Sequence, residues 1–481
     1  MSDDLEVSET YSIGQHRDRI IGGPIFRTLL WLGVPLLLNQ LIVVVYNVAD
    51  AYWLSLYEEV SIGVPRQVWP VIMLFMAILN ALTAANQSTV SQYIGAKNFK
   101  EASLSASRFF TVSFITGAAM CTLLLTLREF IFSWLISVPP EIHEDVMKYS
   151  AVISFDVFFN CIVFTYATLL GSIGDTKKPA IINGIAVGLN ILLDPFLVLG
   201  IGPFPRLGVV GASITDVLGK IISMIALAYV IRRKYPDLKI GFTKDIDFEW
   251  ARLVIRIGLP VLIFGLTNGF AFLFQLKIIN LLGIIAATAY SIGFIIMDMV
   301  DGALWGLVGA NAIMVGQNLG AGNNDRAREI SFKSALFLFS IVAIGVVIIY
   351  PLRMGMVDIF ADDPAIISET ELFLRTLLPT LPFFGLFMIA MSTGRGSGHT
   401  TFPTLIGILR LWVVRIALGY YLAFSISMGA LGAWLAISLS NIVGGIPAIL
   451  WIKYGGWAKA IIEKKIVSTT SKTITSQKED N

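Results

Sequence analysis

The chain has 481 residues, with 35 Lys and Arg against 33 Asp and Glu, a formal net charge of +2, so no global field argues for nucleic acid as a partner. Its 56% hydrophobic and 14% charged residues contrast with the roughly 25% charged residues of soluble domains. That is the composition of a membrane protein, and it excludes an ordinary soluble domain.

Residues 1–25 are polar and lack an apolar core with a small-residue cleavage site, so they read as a cytoplasmic tail without a cleavable signal peptide. Beyond them, apolar stretches of about 20 residues, the length that crosses a bilayer core about 30 Å thick, begin near Leu29, Val68, Phe109, Val146, Ala180, Val209, Leu253, Ala286, Ala335, Phe373, Phe402 and Leu431. The pattern predicts an all-α polytopic membrane protein with 12 transmembrane helices in two pseudo-symmetric six-helix lobes. The lobes are expected at 26–232 and 250–453, with a cytoplasmic linker at 233–249 and a cytoplasmic tail at 454–481. Pro35 and Pro260 fall inside predicted helices, where neighbouring helices can re-satisfy the freed backbone groups. Cys121 and Cys161 both lie in apolar stretches and read as small hydrophobes.

Lys and Arg cluster in the connections from even to odd helices: Lys97, Lys100 and Arg108; Lys177 and Lys178; Arg232 to Lys244; Arg326 and Arg328; Arg395. The odd-to-even connections lean acidic, with Glu58 and Glu59, then Glu141 and Glu144, then Asp362 and Asp363. Basic loops stay on the cytoplasmic side, so both termini are expected to be cytoplasmic. Arg66, Arg128, Arg206 and Arg353 run against this bias as single charges.

An internal repeat organises the chain. Gly33 and Pro35 recur 225 residues later as Gly258 and Pro260, and Gln92, Gly95, Ala96, Asn98 and Ala102 recur at the same offset as Gln317, Gly320, Ala321, Asn323 and Ala327. Gly174, Thr176 and Pro179 recur 224 residues on as Gly398, Thr400 and Pro403. Two parallel halves with a substrate path between them are a transporter architecture.

Ionisable side chains inside membrane helices are costly and functional by default when no structural pairing explains them. Asp50 in YNVADAYW and Asp194 in LNILLDPFLVLG stand out, with Asn190 one helical turn before Asp194. The repeat supplies a control: Asp50 maps to Gln275 and Asp194 to Leu418. The second half builds its lobe without either acid, which favours a functional role over a structural one. Tyr149, Asp156 and Asn160 share one stripe of the fourth helix. Asp216 and Lys220, spaced i, i+4, read as a mutually neutralising pair. Lys277, Asp298 and Asp301 are divided evenly between substrate contact and structural pairing. Met73, Phe75, Met76, Phe294 and Met297 are mainly packing residues, a minority of which can line an adaptable cavity.

No GxxxxGK[ST] motif occurs, since Gly219-Lys220 is followed by Ile221, so ATP is not the expected energy source. His16, His143 and His399 stand outside any HExxH context, which argues against a zinc protease. The sequon at Asn86 lies within the second helix and is treated as chance.

The helix count, the GVP start of the first helix, YNVADAYW, the duplicated GQ-x-x-GA-x-N, GDTKKP and N-x-x-x-DP together resemble the multidrug and toxic compound extrusion (MATE) family, from about Pro24 to Lys453. Through Asp50 and the run LDPFLVLGIGPFPRLGVVGA the likeness is to its DNA-damage-inducible F branch, especially archaeal members. The resemblance implies a secondary exporter of organic, often cationic or amphipathic, compounds, antiporting H+ or Na+ by alternating access, without an organic cofactor, in the cell membrane and as a single copy. Coupling would be carried by Asp50, Asn190 and Asp194, the residues that would take Na+, with Tyr149 and Thr215 nearby, and Pro35 would mark the bend of the first helix. Candidate residues for the substrate cavity are Asn47, Asn160, Met73, Met76, Gln275 and Met297. One departure is Gly171, where such proteins usually place Arg ahead of GDT. A lipid-linked oligosaccharide flippase of the wider superfamily is the alternative. An intramembrane lipid-modifying enzyme ranks below it, because no nucleophile, metal or acid/base set faces the interface.

Overall fold

The computed structural model describes residues 12–58, 61, 63–301, 304–359 and 361–462. The first lobe is built from α2 (Ile25–Tyr57), α3 (Gly63–Gly95), α4 (Phe99–Glu129), α5 (Pro140–Ile173), α6 (Lys177–Leu199) and α7 (Val209–Lys234), preceded by the short α1 (Arg17–Gly22). The second comprises α8 (Phe248–Leu281), α9 (Ile284–Asp301), α10 (Leu304–Gly320), α11 (Asn324–Val357), α12 (Pro364–Leu377), α13 (Leu381–Ser397), α14 (Thr401–Ile408) with its π-helical continuation to Ser425, and α15 (Ala430–Tyr454). Among the described residues, eleven helices are long and apolar enough to cross a bilayer. The place of the eighth expected stretch is taken by α9 and α10, with the apolar stretch Ile284–Phe294 in α9.

Helix boundaries follow local chemistry. Asn98 and Asp247 cap α4 and α8 by accepting from the Glu101 and Trp250 amides, satisfying donors that an open helix end leaves orphaned. Gly174 and Gly398 end α5 and α13 with φ of 98° and 79°, a left-handed conformation that only glycine adopts cheaply.

The repeat becomes a reciprocal seam between the lobes at the basic-loop end. A Cβ placed on Gly95 of α3 would lie 2.0 Å from the Gln317 carbonyl oxygen of α10, and one on Gly320 would lie 1.8 Å from the Gln92 carbonyl oxygen. The two glutamines cross the seam as well. Gln92 Nε2 donates to the Gly396 and Ser397 carbonyls at 3.1 and 3.2 Å, and Gln317 Nε2 to the Ser172 carbonyl at 2.7 Å. The two threonines of the GDT and GHT turns behave alike, Thr176 donating to Leu32 O and Thr400 to Ile257 O, each three residues before the proline of α2 or α8. That carbonyl neighbours the one that loses its helical partner to the proline ring.

The segments expected as tails are packed where they are described. Ile13 and Ile20 are fully buried, because the N-terminal segment lies across the seam: Arg17 donates to Gly95 O in the first lobe, while Asn318 and Arg326 of the second donate to Ile20 O and Gly23 O. At the other terminus Trp457 is buried and the Ile461 amide donates to Gln92 Oε1. Tyr235, in the connection 235–247, donates to Asp175 at 2.6 Å. Burial pushes its hydroxyl up to about 12 against the lowering effect of the Gln15 hydrogen bond, so it stays a donor.

Candidate functional site

In the half of the first lobe away from the basic loops, α2, α3, α5, α6 and α7 enclose a cavity of about 510 Å³. Its wall includes Asp50, Tyr149, Asp156, Asn190, Asp216 and Lys220. Asp50 and Tyr46 come from successive turns of α2, Asn190 from α6 and Asp216 from α7, so the site exists only when the lobe is assembled. Asp194 lies behind the wall at 0% exposure and accepts from Thr215 Oγ1 at 2.5 Å. The four carboxylates feel one another: Asp50 interacts electrostatically with Asp194 and Asp216, and Asp216 with Asp156.

Asn190, 5% exposed, donates to Asp216 Oδ1 at 2.9 Å, and the Tyr46 hydroxyl donates to the same oxygen. The expected Asp216–Lys220 pair does not form. Tyr46, four residues before Asp50 on α2, and Asn190 reach Asp216 instead, while Lys220 makes no hydrogen bond or ion pair among the described residues. Four acceptor oxygens in and behind this wall are buried without a donor: Asp156 Oδ1, Asn160 Oδ1, Asn190 Oδ1 and Asp194 Oδ2. A surplus of buried acceptors is stabilised by a proton, a cation or a cationic donor.

The remaining expected residues divide. Asn160 and Met76 line the cavity and touch, Asn160 Nδ2 lying 3.9 Å from Met76 Sδ. Met73 is 49% exposed and lies outside the wall. The cavity takes the α3 face of Trp69, Ile72 and Met76, and Met73 sits one residue, about 100°, off that face. Gln275 is not a cavity residue either. It is buried within the second lobe, donating to Tyr290 at 3.1 Å and accepting from Arg415 at 3.5 Å. Met297 lines a separate cavity of about 260 Å³ there, with Phe294, Met388, Arg395, Arg410 and Arg415. Pro35 sits within the unbroken α2. Lys277 is exposed on α8, and the side chains of Asn47, Asp298 and Asp301 lie outside the described residues.

At the 225-residue offset Asp50 and Asn190 become Gln275 and Arg415, and Arg415 Nε donates to Ser440 Oγ at 3.3 Å. The second lobe thus keeps the arrangement but fills it with a guanidinium that never deprotonates. Tyr46, Asp216 and Arg415 were missed as site residues in the sequence. A signal for Asp216 existed, an acid inside an apolar helix beside Thr215, but its spacing to Lys220 pointed elsewhere.

Two parallel six-helix lobes, one holding an intramembrane acidic cavity, define a secondary transporter by class. The MatE profile matches residues 35–196 and 260–421, two blocks at the same 225-residue offset, and the chain belongs to the MatE family. It is 25% identical over 444 residues to the probable multidrug resistance protein NorM of Thermotoga maritima, covering 91% of this chain and 94% of that one. To the FAD transporter of Shewanella oneidensis it is 24% identical over 440 residues, covering 89% and 95%. A solved structure described as MATE in the bent conformation superposes with a TM-score of 0.83 at 22% identity, covering 91% of this chain and 96% of that one.

Proposed function

We propose that this protein is a secondary active exporter in the cell membrane, moving small organic cations outward by alternating access in exchange for H+ or Na+, as a single copy with both termini cytoplasmic. The observation that carries this reading is the set of buried, donor-less oxygens of Asp194, Asn190 and Asp156 around a cavity that also holds Asp50. In low dielectric these carboxylates cannot all stay ionised unpartnered, so a mobile positive charge belongs to the site. Asp50, Asn190 and Asp194 are assigned to the coupling ion, with Thr215 orienting Asp194 and Tyr149 closing the wall.

Charge also selects the cargo. A cavity walled by carboxylates favours cationic compounds over a doubly phosphorylated one such as FAD, in keeping with the multidrug name of the Thermotoga relative. The same reasoning places a flippase for anionic lipid-linked sugars behind. The basic-loop seam is shut in this conformation, so exchange requires it to part, and the weak backbone at Pro35 and the lobes at 26–232 and 250–453 are the units proposed to move.

Proteoliposomes preloaded with a cationic dye test this under separately imposed pH and Na+ gradients. Efflux is expected under one of the two gradients and lost in Asp50→Asn. Efflux equal in Asp50→Asn and wild type would defeat the reading.

A further inference from the structure

Lys220 is an unexplained charge of the N-terminal cavity, whose wall also includes Arg66. It lies within electrostatic reach of Asp156 and Asp216 yet makes no hydrogen bond or ion pair among the described residues. A lysine needed to build the lobe would be bonded, and the repeat argues against a building role in a second way. Aligned on the helix-ending glycines Gly174 and Gly398 and on the N-cap glycines Gly208 and Gly429, the positions equivalent to Asp156, Asp216 and Lys220 are Thr380, Ile437 and Asn441, and the second lobe folds around them. Beside Lys220, Asn160 Oδ1, Asn190 Oδ1 and Asp156 Oδ1 are buried without donors. An amide oxygen gains from a hydrogen-bond donor or from a small bare cation that it can ligate, but little from a quaternary ammonium, whose methyl groups hold the charge off and donate nothing.

We infer that Asp156, Asp216 and the amide oxygens of Asn160 and Asn190 form a second subsite, which shares Asn190 with the coupling site of Asp50 and Asp194 and binds a primary or secondary ammonium group of the cargo. Lys220 is its tethered stand-in. With the cavity unloaded, the Lys220 ammonium offsets the two carboxylates across the cavity; an arriving ammonium makes the hydrogen bonds that Lys220 does not and takes over the neutralisation. Quaternary ammonium compounds neutralise charge but leave the amide oxygens unsatisfied, so they bind less well. This rests on the exporter reading for the identity of the ligand as cargo, and it narrows that cargo from organic cations in general to hydrogen-bond-donating amines.

The test is equilibrium binding to the full chain in nanodiscs without any gradient, using a dansyl-labelled primary alkylamine and its N-trimethyl analogue. Wild type is expected to prefer the primary amine by about tenfold, the weight of unsatisfied buried acceptors. Lys220→Met, which removes the tethered competitor, should tighten the primary amine by about tenfold, and Asp216→Asn should weaken it by a similar factor, each a single charge acting across a cavity. Should Lys220→Met not fold, as judged by size-exclusion chromatography, Lys220→Gln is read in the same way. Equal affinity for the two probes, or weakened or unchanged amine binding on loss of the lysine, overturns the proposal, as does unchanged binding in Asp216→Asn. The two readings fail separately. Gradient-driven efflux with no Lys220 effect on binding keeps the exporter and removes the subsite, whereas the expected binding pattern without efflux does the reverse.

Discussion

Replacing Gly320 with alanine puts a methyl group 1.8 Å from the Gln92 carbonyl oxygen, and the atoms it meets are backbone, so no side chain can swing aside. Reaching an ordinary contact of 3.4 Å opens the seam there by about 1.6 Å. Overpacking of this kind costs about 1–3 kcal/mol, and the cost falls only on the conformation in which α3 and α10 touch. Displacement of the equilibrium by that amount corresponds to about 5- to 150-fold. The assay is thiol labelling from the basic-loop side with a membrane-impermeant maleimide. It uses Ser397→Cys, at a residue whose carbonyl bonds Gln92, in a background with Cys121 and Cys161 replaced by alanine. Labelling should accelerate at least fivefold in Gly320→Ala and by a similar factor in Gly95→Ala, its counterpart across the seam. A well-folded Gly320→Ala with the parental labelling rate would refute the argument, since the seam would then not be a surface that closes and opens.

Other expectations are more local. Tyr46→Phe removes one of the two donors to Asp216 and should lower stability by about 1 kcal/mol, read as a drop in Tm, together with a several-fold loss of efflux. Arg415→Met leaves Gln275 Oε1 without the donor that the structure gives it and should lower stability by about 1–3 kcal/mol, checked by thermal unfolding in detergent. The N-terminal segment should respond to pH. Burial first, and then Lys178 and Arg19, hold the His16 imidazole below its ordinary 6.5, so the docked segment binds fewer protons than the released one. Docking is therefore fully present above about pH 6.5 and weakens as pH falls below it. A fluorophore at residue 15 should gain mobility at pH 5, and His16→Phe should flatten that response.

Residues of the site that the sequence exposes are those whose burial contradicts their chemistry. Asp50, Asp194 and Asn190 announce themselves because charge and amide groups are scarce in apolar helices. What a linear pattern does not carry is which distant side chain arrives. The spacing of Asp216 and Lys220 is right for a helical pair, yet Tyr46, some 170 residues earlier, takes the acid. Gln275 shows the same limit: the repeat aligns it with Asp50, but only the fold reveals that Arg415 already donates to it. Met76 and Met73 differ by less than one helical turn, and the face that meets the cavity depends on how α3 rotates against its neighbours. The duplicated Gln-x-x-Gly is plain in the sequence, but its reason lies in a contact between halves 225 residues apart.

That contact is isologous in form: Gly95 meets Gln317 as Gly320 meets Gln92, the self-complementary pattern of a two-fold dimer. A single half therefore carries both sides of its own docking surface, and an unfused six-helix chain could pair with a copy of itself through it. Joining two copies end to end frees each from having to match the other everywhere but at that surface. One copy was thereby able to keep acids while its twin took an arginine, a division of labour that a strict homodimer cannot encode.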